Sequence, residues 1–226
     1  MQSAALLHLL QLASPSLPIG AYSYSQGLES AIERGLVKNE ATARAWIAHY
    51  LQEIVAKFEV PILWRLLQGF QQRDVEQVTY WNHLFIAARD TAEFRAESIQ
   101  MGYSLGKLVG DLKIADTELL AILLAQSELP LPTSLACAAV ALDVPPESVV
   151  LGMLFSWAEN QALVCVKSIP LGQVAGQRLL LSLRPELEAA ANLAMRLQDH
   201  ELSNWAPGLS LLSMQHEVQY SRLYRS

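Results

Sequence analysis

The apolar positions of residues 43–55, namely Ala43, Trp46, Ile47, Tyr50, Leu51, Ile54 and Val55, recur at i, i+3, i+4 and i+7. That is the spacing of a helix with one buried face. Asn39 stands where an N-cap belongs, and Glu40 follows in the first turn, where a carboxylate favours the helix dipole. Pro61 is expected to kink or divide the next segment, and Gly69 to stop it. The same period predicts helices over 73–90, 91–112, 116–127, 133–142, 145–167 and 184–199, with Asp116 as an N-cap and Pro146 and Pro185 in first turns. Residues 149–157 (VVLGMLFSW) are apolar all round, which predicts a central buried helix. Only 162–166 (ALVCV) and 178–183 (RLLLSL) read as possible strands, and hairpin signals are scarce. With no internal repeat or long linker, the expected fold is all-α. It is a single globular, bundle-like domain of about ten helices over residues 1–206 with a flexible C-terminal tail, 207–226.

Gly102, Gly106 and Gly110 recur every four residues inside the helix predicted over 91–112, so three missing side chains share one face. Each Gly costs about 1 kcal/mol against Ala in a helix, which calls for a compensating close approach. Packing within the chain is the preferred reading, and a subunit interface is the other.

Composition sharpens this picture. Of 226 residues, 52% are hydrophobic and 17% charged, against about 25% charged in an average domain. Apolar surface left over from the core marks a protein interface. Sixteen basic and twenty-two acidic residues give a net charge of −6, which speaks against a general nucleic-acid binder. Cys137 and Cys165 lie far apart in apolar stretches, as buried free thiols of a reducing compartment do. The start, MQSAALLHLLQLASPS, faintly resembles a signal peptide but lacks a basic segment and is interrupted by His8 and Gln11. No apolar run approaches the roughly 20 residues that span a bilayer. A cytoplasmic protein with no membrane partner is the expectation.

Catalytic signatures are missing. His200-Glu201 and His216-Glu217 lack the second His of a metalloprotease helix, and Gly102 to Leu108 is one residue short of a P-loop and lacks its hydroxyl. No nucleophile elbow, C-x-x-C pair or dinucleotide loop occurs, and His8, His49, His83, His200 and His216 are scattered. The expectation is a protein that is not an enzyme, with no catalytic residue, metal ligand or cofactor.

Polar residues do cluster where amphipathy does not require them. Residues 14–29 form a loop stiffened by Pro15, Pro18 and Gly20, with Ser23 or Ser25 placed to cap the following helix. Glu93 and Glu97 lie one turn apart with Arg95 pointing elsewhere, which also suits an ordinary solvated face. Trp157 to Gln161, then Lys167 and 170–178, place polar groups beside an apolar helix, and Glu159 with Lys167 reads as a structural pair or a partner contact. The end, HEVQYSRLYRS (216–226), carries Tyr220, Leu223 and Tyr224 with Arg222 and Arg225, the residue types of interface hot spots. It is either a frayed or docked terminus or a segment that orders on a partner.

Four segments in order resemble the UreF family of urease accessory proteins: LLQLASPSLPIGAYSYSQGLE (9–29), EFRAESIQMGYSLGKL (93–108), WAENQ…K…PLGQ…GQR (157–178) and MQHEVQYSRLYRS (214–226). Tyr224 departs from the resemblance, where Phe is expected. The resemblance implies an all-α homodimer without enzymatic activity that bridges UreD (also called UreH) and the GTPase UreG. It further implies nickel delivery into urease apoprotein and control of the GTP-driven step. It assigns the tail that orders on UreD to Tyr220, Ser221, Arg222, Leu223, Tyr224 and Arg225, and fidelity or UreG contact to Lys167 and Glu29. The three apolar tail residues would enter pockets on UreD, the arginines would meet carboxylates, and a separate face holding Lys167 would meet UreG. Two alternatives stand beside it. One is a direct GTPase activator using Arg44, Arg95 or Arg178. The other is a ligand-binding helical domain with a deep pocket and convergent titratable groups.

Overall fold

The computed structural model describes residues 2–226, and their order is α1 (Ser3–Leu12), α2 (Leu28–Glu33), α3 (Glu40–Tyr50), α4 (Val60–Gln72), α5 (Val75–Ala87), α6 (Ala92–Leu112), α7 (Thr117–Leu124), α8 (Leu131–Ala141), α9 (Pro146–Ser168), α10 (Gln173–Ser182), α11 (Arg184–Ala194) and α12 (Pro207–His216). No strand occurs among the described residues, and the fold is all-α in one domain. The two segments with strand character, 162–166 and 178–183, are helical, the first finishing α9 and the second falling mostly in α10.

Side chains fix several helix starts, those at Asn39 and Asp116 as the sequence predicts. Asn39 accepts the Thr42 N–H at 3.0 Å while the Thr42 hydroxyl accepts the Asn39 N–H at 3.1 Å, a reciprocal cap on α3. Asp74, Thr91 and Asp116 cap α5, α6 and α7 in the same sense. Pro61 behaves differently from expectation. The helix runs on from α3 through a nine-residue π-helical stretch, Leu51–Glu59, into α4, and Pro61 sits in the first turn of α4. Its missing N–H would have faced the Lys57 carbonyl, and that carbonyl accepts instead from the Ser203 N–H at 3.1 Å.

The hub is α4, whose Ile62, Leu63, Leu66, Leu67 and Phe70 are fully buried; burial of each such side chain contributes about 1.5–3 kcal/mol. It packs against α5, α8 and α9. The 149–157 stretch is less central than its composition suggests. Val150 and Leu154 face inward, but Leu151 and Phe155 remain about two-fifths exposed, and Leu9 of α1 covers Gly152. At 23 residues, with an 18-residue window of mean hydropathy 1.5, α9 does reach the length and hydropathy of a spanning helix. The reading of the sequence missed this because Glu159, Asn160 and Gln161 interrupt the apolar run. In the fold its inward stripe, Val150, Leu154, Ala158, Ala162 and Cys165, lies in the protein core.

The glycine row divides. A Cβ at Gly102 would fall on the Leu129 carbonyl oxygen and 2.6 Å from the Leu131 nitrogen, and one at Gly106 would lie 2.9 Å from Leu129 Cδ1. Both mark the close approach of α6 to the start of α8, within the chain. Nothing lies within 4 Å of a Cβ at Gly110. Cys137 and Cys165 are buried free thiols, and burial pushes both up to about 12.

Candidate functional site

The four polar segments meet. The loop before α2 turns sharply, with Gly20 at φ 78°, Gln26 at φ 55° and Gly27 at φ 79°. A Cβ at Gly27 would come 3.1 Å from Leu209 Cδ1, so this bend also seats α12. The bend turns the backbone of residues 23–26 toward the last residues of the chain. At the end of α12, His216 is fully buried between two other helices. Its Nε2 lies 3.0 Å from Glu29 of α2, and its Nδ1 lies 2.9 and 3.0 Å from the two oxygens of Glu93 of α6. A neutral imidazole has a single N–H, so carboxylates on both sides favour the imidazolium. Burial works against that charge, but the hydrogen bonds and negative charges of Glu93 and Glu29 outweigh it, and the His216 pKa is raised.

Residues 217–226 then fold back over α2 and α6. The Glu29 oxygens also accept the N–H groups of Leu223 at 2.7 Å and Tyr224 at 3.0 Å. Arg222 reaches Glu93 at 3.3 Å. Arg225 N–H donates to the Ser23 carbonyl at 2.8 Å, and the Ser25 N–H and hydroxyl donate to the Ser226 oxygen at 2.7 and 2.5 Å. The Ser226 hydroxyl donates to Glu97 of α6 at 2.5 Å, and Gln26 donates to its other oxygen at 2.5 Å. Gln26 accepts in turn from Trp157 Nε1 at 2.7 Å, while Asn160 and Gln161 of α9 donate to the Tyr24 and Ser25 carbonyls. Burial pushes Glu97 up to about 7, against the hydrogen bonds from Ser226 and Gln26.

The residues singled out in the sequence therefore fall into two groups. Tyr224 is buried at 6% exposure, inside the chain's own core, with Lys167 Nζ 5.8 Å from its ring centre. Tyr220 and Leu223 are 105% and 72% exposed, and Val218 beside them 84%; Ser221, Arg222 and Arg225 are also exposed. Glu29 is buried at the centre of the cluster. Lys167 and Glu29 do not form a face apart from the tail: both touch it. Among the described residues no ion pair joins Lys167 to Glu159.

The sequence singled out Glu93 and Glu97 without separating them from a solvated face and Ser25 only as a cap, and it missed the roles of Gln26 and His216. One signal was available: Glu97 shares a four-residue spacing with Met101 and Leu105, which places a carboxylate in an apolar stripe. The arginines considered as catalytic fingers are each bound within the chain, Arg44 to Glu186, Arg95 to Glu128 and Arg178 to Glu40. A cavity of about 120 Å³ lies beneath α1. Leu9, Leu12, Leu105, Leu135 and Met153 line it, with Tyr24 and Glu59 as its titratable groups. Among the described residues no three His, Cys, Asp or Glu side chains are placed to hold a metal ion.

The UreF family pattern matches residues 37–184. Over all 226 residues, and the whole of both chains, the sequence is 73% identical to the urease accessory protein UreF of Janthinobacterium sp. (strain Marseille). It is 64% identical over 222 residues, 98% of each chain, to that of Nitrosospira multiformis. It is 43% identical over 225 residues to that of Methylobacillus flagellatus, covering 100% of this chain and 99% of the other.

Proposed function

The chain belongs to the UreF family of urease accessory proteins, and from that premise we propose that it acts as a non-catalytic scaffold. In this reading a cytoplasmic homodimer bridges UreD (UreH) and the GTPase UreG, serves nickel insertion into urease apoprotein and modulates the GTP-dependent step. Residues 207–226 form the UreD-binding element. The observation that carries this is the two-sided build of 217–226. Its backbone is fixed on buried carboxylates while Val218, Tyr220 and Leu223 are left almost entirely in solvent. Docking does not bury these apolar groups, and such groups mark a surface that a partner covers. Tyr220 and Leu223 supply the apolar contacts, Ser221 and Arg225 lie exposed among them, and Tyr224 holds the segment in place from within. Lys167 and Glu29 belong to the same surface and tie the UreG-dependent step to it.

Co-purification with UreD tests this. The full chain is expected to co-elute with UreD, and the Tyr220→Ala/Leu223→Ala double variant to lose it while its helical content stays unchanged. Losing a hot-spot anchor costs about 2 kcal/mol or more, so removal of two abolishes binding rather than trimming it. A double variant that co-elutes as the full chain does would overturn the assignment. Lys167→Ala is expected to alter UreG-dependent urease activation while leaving the helical content unchanged.

A further inference from the structure

We propose that His216 is the positioning residue of the partner-binding element, and that docking of residues 207–226, α12 together with the segment that follows it, takes up protons, so that the segment is presented to its partner at lower pH and let go as the pH rises. This rests on the reading that 217–226 carries the partner-binding side chains; it adds what holds them in place.

The geometry around His216 favours the imidazolium, with both ring N–H groups donating to carboxylates. Glu29 from α2 faces one ring nitrogen and Glu93 from α6 the other, and Arg222 from the segment itself touches Glu93. Two carboxylates against an imidazolium and a guanidinium balance in charge. A neutral imidazole turns one lone pair onto a carboxylate oxygen about 3 Å away, in a place water does not reach, and leaves one negative charge uncompensated. The damage falls on the segment, because Glu29 is the acceptor of the Leu223 and Tyr224 N–H groups.

A second proton acts in the same direction. Glu97 lies beneath Ser226, with Gln26 on its other oxygen and Glu59, Arg89 and Tyr24 in its surroundings. Burial raises Glu97 from 4.5 to about 7, so release of the segment frees its proton to water. Lys167 of α9, over the Tyr224 ring, completes the charged groups that face the segment. The signs agree. For a group whose docked pKa is raised, the contribution to docking is full below the free value and is lost as the pH climbs through the docked value. For Glu97 that window runs from 4.5 to about 7; for His216 it starts at 6.5 and extends upward.

Amide hydrogen exchange of residues 207–226 in the full-length protein tests the inference. It should be followed from about pH 6 to about pH 9 and corrected for the pH dependence of intrinsic exchange. Once the pH passes the docked value of His216, protection is expected to fall roughly tenfold per pH unit, the slope of one proton. His216→Gln, neutral throughout, should show weak protection with no slope above about pH 7. Glu93→Gln, which keeps the imidazole but weakens its partner, should move the fall to lower pH. Flat protection in the parent protein, or the parent's slope in His216→Gln, overturns the proposal. UreD retention measured at the two pH extremes separates the claims. A proton-linked slope without UreD binding at either pH supports the latch and overturns the partner reading. UreD binding with flat protection overturns the latch alone.

Discussion

The two halves of α6 make opposite kinds of contact. The C-terminal half meets α8 through missing side chains: Gly102 and Gly106 let the 129–131 backbone come within van der Waals range, with no charge involved. The N-terminal half meets the end of the chain through Glu93 and Glu97, two buried carboxylates held by hydrogen bonds and an imidazolium. A dry close approach depends only on shape and holds at any pH. A buried ionic cluster depends on every proton and partner being in place, because its desolvation cost is recovered only when all members are paired. One rod thus carries a permanent joint and a conditional one, and the conditional one holds the segment whose apolar side chains face solvent.

The permanent joint is the easier to break. In Gly102→Val the new Cβ falls on backbone, which cannot turn aside, so the loss is expected to be about 3 kcal/mol or more. Gly110→Ala, with open space around its Cβ, should gain up to about 1 kcal/mol from helix propensity alone. Urea midpoints of the two variants check this. Equal midpoints would mean that the row of glycines is a matter of propensity and not of packing.

The conditional joint should fail locally. Glu29→Gln keeps the shape but removes the carboxylate that serves His216, Leu223 and Tyr224, and its amide N–H₂ turns a donor onto a donor. Breaking one member of a buried pair costs about 3–5 kcal/mol, and here that cost is expected in residues 217–226. Exchange protection should vanish there while α6 and α8 keep theirs. Loss of protection across the whole domain would show that the segment is part of the core and not a separable joint.

This contrast also explains what the sequence disclosed. The main helix periods, the Asn39 and Asp116 caps and the close approach at Gly102 and Gly106 are local and were legible, whereas Gly69, expected as a stop, lies inside α4, which runs on to Gln72. The hub role of α4 was less so, because α4 and 149–157 are both apolar and nothing local says which one neighbours surround. Pro61 read as a break because the group that answers its missing N–H, Ser203, lies far along the chain. The cluster was the hardest to see. Glu29 and His216 are 187 residues apart, and Glu93 beside Arg95 looks like any solvated face. The polar segments were visible one by one, and the tail showed its anchor residues. That Tyr224 would turn inward while Tyr220 turned outward depends on where Glu29 catches the backbone.

The finest test of the conditional joint is Tyr224→Phe. The ring is buried, and its hydroxyl lies beside the buried Ser168 hydroxyl outside good hydrogen-bond geometry, so neither is well satisfied. Burial, with the negative charge of Glu29 next, pushes the phenol up to about 12 against a small opposing effect of Ser168, so it stays neutral and gains little from its polarity. An unpartnered buried hydroxyl costs free energy that a phenyl ring does not. Tyr224→Phe should therefore leave docking of 217–226 unchanged or strengthen it by up to about 1 kcal/mol. Tyr224→Ala removes the ring as well and should cost about 3 kcal/mol, in the range for buried aromatics. The Lys167 contact is to the ring face and survives the loss of the hydroxyl. If Phe weakened protection of 217–226 as much as Ala, the hydroxyl would be holding the segment, and the ring packed under Lys167 would not be its anchor.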